Sequence, residues 1–312
     1  IHVTFPGMAG EIISKLAHFA VPVFFMITGY YALGCQVETI RRRLFKIIKI
    51  FIFSYLCFFC YSAIFQAKNA LLITWLKSLC TWKACIKFVV FCNIDFAVPL
   101  WYLIAMIETY FVWYIAVKKK KEELMLNFIP VLFLAQIVII TFCETSEFAW
   151  FLKINFLTNA MPWFLTGYWI HEQEKTCRQK MGILNNNVNC GLLVLLGGCS
   201  ALIPLIFHTK VQFSCVGYIP YAIGIFLLGV NNPSVSLNKH IEYIGDKLSL
   251  NVYIFHVLIG GAIGIVWNHI QTTPCADKVF AWMRPIITVV IAVLWAYLLE
   301  KGKVVFRQLR NS

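Results

Sequence analysis

Apolar residues in this chain come in blocks, each closed by a short polar or charged segment. About 20 mostly apolar residues is what an α-helix needs to cross a bilayer. Blocks of that kind run near 14–34, 44–65, 97–117, 125–143, 155–171, 189–207, 215–231, 247–267 and 281–300. The chain opens at Ile1-His2 without a methionine and turns at Pro6-Gly7, so residues 1–5 read as the tail of one more span. Apolar residues within the blocks do not alternate as barrel strands do, and lipid then leaves helices as the spanning structure. The expectation is an all-α polytopic transmembrane helix bundle of about ten spans, the first truncated at its start.

One stretch does not fit a span. Residues 66–96 mix Lys68, Lys77, Lys83 and Lys87 with leucines and tryptophans. That pattern suits a segment lying at the membrane interface, with Trp75 and Trp82 at headgroup depth. The polar patches at 171–187 and 231–246 are short, and no internal repeat is evident, so residues 1–312 read as a single domain.

The distribution of charge orients the bundle. Arg41, Arg42, Arg43, Lys46 and Lys49 follow the second block, and every second loop after them is again basic: Lys118–Lys121, Lys175 to Lys180, Lys239 with Lys247, and Lys301 to Arg310. These loops hold the larger share of the 27 Lys and Arg. Basic loops stay on the cytoplasmic side, which places the C-terminus inside an inner (cytoplasmic) cell membrane. The net charge of +13 is thereby read as topology rather than as a nucleic-acid surface.

Composition agrees: 60% hydrophobic and 13% charged, with a mean hydropathy of +0.76, against roughly a quarter charged in a soluble domain. Most of the 12 cysteines lie inside apolar runs, where a thiol behaves as a small hydrophobe. Cys57-x-x-Cys60 has no second pair or histidine nearby and reads as packing. Cys80, Cys85, Cys92, Cys143 and Cys275 fall in outer segments, where spacing assigns no disulfide.

Ionisable groups inside apolar runs are costly and mark function by default. His2 lies at the end of the first span, His18 early in the second and His256 in the ninth, while Glu108 is the carboxylate well inside a run. Imidazole near neutrality can take a proton from a hydroxyl. Two readings of Glu108 stay open, orienting a histidine or pairing with a lysine. No nucleotide-binding loop, nucleophile elbow, metalloprotease motif or dinucleotide fingerprint is present, and no metal is called for.

Four separated stretches carry a resemblance. Val21-Pro-Val-Phe-Phe-Met-Ile-Thr-Gly-Tyr-Tyr31 is similar to a signature of the acyltransferase-3 family of integral membrane enzymes. Arg43-Leu-Phe-Lys46 resembles that family's arginine-rich motif, with Lys46 in place of an arginine. Pro99 to Tyr110, with Trp101, and Ile244 to His256, with Tyr253, resemble two further motifs. The resemblance implies transfer of an acetyl or similar group from cytoplasmic acyl-CoA, as co-substrate, to a hydroxyl of an exported or lipid-linked carbohydrate. It implies His2 as the catalytic residue and Arg42, Arg43 and Lys46 as binders of the donor phosphates. Thr28, Trp101, Glu108, Tyr253 and His256 are candidates for the pocket or its support, Glu108 on its position alone. The expected partners are the lipid bilayer and a carbohydrate or small-molecule acceptor, with no nucleic acid. The membrane half of vancomycin-resistance serine racemases resembles the same stretch, which gives a second expectation: an uptake module for serine, with a soluble racemase domain beginning after the basic tail at 300–312.

Overall fold

The computed structural model describes residues 4–145, 154–176, 182, 186–207, 214–235, 238–270 and 273–311. Among them there are helices and no strand. In chain order the α-helices are α1 (Gly7–Ala17), α2 (Ala20–Tyr30), α3 (Val37–Lys68), α4 (Leu72–Leu79), α5 (Trp82–Phe91), α6 (Trp101–Lys118), α7 (Glu122–Leu126) and α8 (Ile129–Thr145). They continue with α9 (Phe156–Asn159), α10 (Met161–Thr176), α11 (Asn187–Phe207), α12 (Ser214–Asn231), α13 (Lys239–Tyr243), α14 (Ser249–Asn268) and α15 (Pro274–Asn311). The chain divides into two compact units, residues 15–233 in one and residues 1–14 with 234–312 in the other.

Seven described helical stretches are long and apolar enough to cross a membrane: Gly7–Tyr30, Val37–Lys68, Val98–Lys118, Glu122–Cys143, Asn187–Phe207, Lys239–Asn268 and Pro274–Lys303. The protein is an integral membrane protein of polytopic, all-helical type. The blocks near 155–171 and 215–231 are helical too, but α10 has 16 residues and α12 has 18. The block at 1–5 falls partly outside the described residues. α3 has 32 residues, so it runs for about 48 Å and overreaches a hydrocarbon core of about 30 Å. Its basic first turns therefore stand clear of the apolar part.

In the 15–233 unit the core forms around α2, α6 and α10. The helices with the most buried positions are α6 (Tyr102 to Met106, Thr109, Tyr110, Trp113) and α10 (Met161 to Tyr168, Ile170). A helix covered on nearly all sides by protein does not need the length of a lipid-facing one, which accounts for the short α10. Phe25 of α2 lies against Tyr102, and Trp113 lies edge-on to Phe164 and Tyr168.

The α2–α10 crossing is made by one tripeptide used twice. Thr28-Gly29-Tyr30 on α2 meets Thr166-Gly167-Tyr168 on α10. A Cβ on Gly29 would stand 1.8 Å from the Phe164 carbonyl oxygen, and one on Gly167 would stand 2.0 Å from that of Met26. Each glycine thus receives the carbonyl three residues before the other, and each neighbouring threonine hydroxyl donates within its own helix, Thr28 to Phe24 O at 2.8 Å and Thr166 to Pro162 O at 2.7 Å. Small residues allow this approach between helices in lipid, where packing rather than the hydrophobic effect holds helices together.

Residues 66–96 form two short helices instead of a span. Thr81 caps α5 by accepting from the Ala84 amide, and Lys87 pairs with Asp95 at 3.1 Å. Trp75 packs among Phe59 and Phe96, while Trp82 is exposed. The thiols of Cys80, Cys85, Cys92 and Cys275 form no disulfide.

In the second unit α14 packs against α15, where Phe255 meets Trp295, and Tyr243 of α13 meets Tyr297.

Candidate active site

The last carbonyls of a helix have no partner within it and attract donors and positive charge. At the end of α2 two side chains from other helices supply them. His171 of α10 donates from Nδ1 to the Tyr30 carbonyl at 2.6 Å, and Arg43 of α3 donates to the Tyr31 carbonyl at 2.8 Å. The His171 ring lies flat on the Tyr30 ring at 4.0 Å, and the Tyr30 hydroxyl donates to Glu174 at 2.5 Å. The Arg43 guanidinium also lies near Tyr110, a buried residue of α6. Three helices, α2, α3 and α10, are therefore tied at one end of α2.

The expected donor cations are not alike in this setting. Arg43 is half-buried and fixed on protein groups, whereas Arg42 and Lys46 are exposed one and two turns into α3. The Arg42 contact is a long one to Thr39 at 3.4 Å. Residues 42, 43 and 46 share one helical face by their spacing. Partial burial, then the nearby Glu123 at the start of α7, pushes the Glu172 carboxyl of α10 up from its ordinary range.

Near the middle of α6 a second polar pair forms. The Cys92 thiol donates to Glu108 at 3.2 Å. Cys92 is buried in the turn after α5 with a positive φ of 48°. Burial, then the Glu108 charge, pushes its thiol pKa up, so it rests as a thiol. Sequence reasoning left Glu108 between a histidine and a lysine; the partner the fold supplies is a cysteine 16 residues earlier. Trp101 opens α6 and approaches Phe25 at 6.4 Å between ring centres. Thr28 directs its hydroxyl into its own helix rather than across to a neighbour.

The remaining expected residues lie elsewhere. Tyr253 and His256 are on α14 in the other unit, where His256 Nδ1 donates to the Tyr253 carbonyl at 2.6 Å. That bond leaves Nε2 as the acceptor of the neutral ring. His18 stacks on Tyr218 at 5.6 Å in the larger unit. His2 lies outside the described residues. Among the described residues no three His, Cys, Asp or Glu side chains gather as a metal site.

His171 and Glu174 were missed because the apolar block ends at 171 while α10 continues to Thr176. The signal that finds them is the second Thr-Gly-Tyr string, which places the end of α10 beside the end of α2.

A family model described as an acyltransferase domain, the acyltransferase-3 type, matches residues 1–301 and so runs through both units. No curated protein and no solved structure matches the chain.

Proposed function

This chain belongs to the acyltransferase-3 family of membrane acyltransferases, and we propose that it moves an acetyl or similar acyl group from cytoplasmic acyl-CoA to a hydroxyl of an extracytoplasmic or lipid-linked carbohydrate. The observation that carries this reading is the extent of the family match, residues 1–301. The basic start of α3 beside the end of α2 supports it, because cationic side chains bind phosphate oxygens in charge-assisted hydrogen bonds.

In this reading the chain crosses the inner membrane about ten times, α10 and α12 among the crossings. The basic start of α3 and the C-terminus are cytoplasmic. Arg42 and Lys46 hold the donor phosphates, with Arg43 positioned between them and the bundle. His2 takes the proton of the acceptor hydroxyl as its oxygen attacks the thioester carbonyl. The C–S bond then breaks, the acyl ester forms, and the CoA thiolate leaves and is protonated. Acylation of His2 before transfer is the two-step variant of the same chemistry. Trp101, Thr28 and the Cys92–Glu108 pair line or support the route in the larger unit, and Tyr253 and His256 are polar candidates of the other unit.

The test is acyl transfer by purified protein from labelled acetyl-CoA to glycan acceptors. His2→Ala, eluting as a folded monodisperse species, is expected to lose at least a hundredfold in rate. A folded His2→Ala that is fully active removes His2. Absence of donor binding together with serine accumulation in cells expressing the chain replaces the transferase reading with the uptake one.

A further inference from the structure

The unit formed with residues 234–312 holds a polar site that the acyl-transfer reading does not use. Arg284 lies inside the apolar stretch of α15, directly before Pro285. A guanidinium in such a stretch carries a high free-energy cost unless an anion faces it. Among the described residues no carboxylate pairs with it. Nη2 donates to the Gly260 carbonyl at 2.9 Å, and Nε is buried without a hydrogen-bond partner. The side chain fits because α14 has glycine there; a Cβ on Gly264 would stand 2.9 Å from Nη2.

The guanidinium borders a cavity of about 410 Å³ lined also by Gly261, Gly264, Trp267, Asn268, Asp277 and Ala281. Its wall is rigid: Trp267 and Phe280 lie face to face at 4.0 Å, 1° from parallel. The Trp267 indole N–H donates to Asp277 at 2.9 Å, which fixes the ring. The volume suits a polar headgroup and is at the small end of ligand pockets. Around it Val266, Val279, Met283 and Ile286 are exposed, and apolar side chains on spanning helices face acyl chains.

We propose that this cavity binds a phosphate ester presented from the bilayer, the phosphate oxygens on Arg284 and the headgroup hydroxyls on Asp277 and Asn268. Planar guanidinium matches phosphate oxygens in paired hydrogen bonds. A lipid headgroup satisfies the cation while its chains cover the apolar flanks. A free phosphate ester offers the same group without the chains.

The experiment is native mass spectrometry of the full chain, delipidated in a neutral maltoside. The probes are phosphatidylglycerol, diacylglycerol of the same chain length, and glycerol phosphate as competitor. Wild type is expected to retain one phosphatidylglycerol and no diacylglycerol. Arg284→Gln, and Ala281→Leu, which narrows the cavity and keeps the guanidinium, are each expected to weaken retention at least tenfold. Competition by glycerol phosphate assigns the site to the phosphate alone; failure to compete assigns it to the intact lipid. The proposal is overturned if both variants hold phosphatidylglycerol as wild type does, or if diacylglycerol is held equally well. Should Arg284→Gln fail to fold, Ala281→Leu alone decides by the same criterion.

Discussion

Gly29→Ala puts a methyl group where the α2–α10 crossing has no room. The new Cβ would begin 1.8 Å from the Phe164 carbonyl oxygen, against a practical minimum of 3.0 Å. A side chain in the way could rotate, but here the obstacle is backbone, so the helices must part by about 1.2 Å. A gap of about 0.5–1 Å already forfeits a quarter to a half of each dispersion contact. The side chains at the crossing, Phe25, Met26, Phe164 and Leu165, are all buried. Over-packing alone costs about 1–3 kcal/mol. Parting the helices also stretches the His171–Tyr30 and Tyr30–Glu174 hydrogen bonds, at about 1 kcal/mol each. The expected loss is about 4 kcal/mol, a fall on the order of 10 °C in the thermal midpoint followed by size exclusion in detergent. Gly191→Ala in α11 is the control, since nothing lies within 4 Å of its Cβ position; it should be neutral or stabilising by up to about 1 kcal/mol. The double variant Gly29→Ala/Gly167→Ala should lose less than the two singles together, because one separation relieves both clashes. A Gly29→Ala protein that melts with Gly191→Ala would refute the reciprocal-carbonyl account of this crossing.

Three other outcomes follow from the same structure. A membrane-impermeant maleimide applied to intact cells should label exposed Cys80, Cys85 and Cys275; Cys35 should react after permeabilisation and buried Cys92 only after denaturation, as read by mass shift. Arg42→Ala and Lys46→Ala should raise the KM for acetyl-CoA about tenfold with stability unchanged, whereas Arg43→Ala should also destabilise by about 1–3 kcal/mol, because it removes the donor to Tyr31 O and the contact to Tyr110. Tyr30→Phe, which takes the hydroxyl donor from Glu174, should cost about 1–3 kcal/mol in the same melting assay; an unchanged midpoint would show that solvent replaces that bond freely.

The bundle was legible because lipid imposes a length and a composition on each helix, and both are written in consecutive residues. The seven long helices fall on expected blocks for that reason. The two-helix segment at 66–96 was legible from its lysines, which an interior span would not carry in that number. What lay beyond reach was set by contacts between distant residues. The Cys92–Glu108 pair joins a turn to the middle of a helix, and no periodicity announces it. Thr-Gly-Tyr occurs twice, but three residues are too short a string to mark a repeat until two helices are seen to cross there. His171 sits at the last position of an apolar block and Glu174 past it. The helix does not stop where hydropathy stops, since its last turns are satisfied by α2 rather than by lipid.

The basic start of α3 shows how a topological signal and a site can be separated. A cation placed only to orient a helix needs no fixed geometry, since water and headgroups serve it equally well. Arg41 fits that description, resting on Glu38 at 3.5 Å and over the Phe45 ring, both exposed contacts one turn or less away. Arg43 does not, because it donates to a helix-end carbonyl and lies near a buried tyrosine on a third helix. Holding a long side chain in one rotamer costs up to about 2 kcal/mol of conformational entropy, and a role in orientation alone gives nothing to offset that cost. The contacts to α2 and α6 do offset it, and they couple the position of α3 to the core. A negatively charged ligand on Arg42 and Lys46 would therefore meet a face already anchored by Arg43, and its binding would be felt at the crossing of α2 and α10 through Tyr30 and Tyr31.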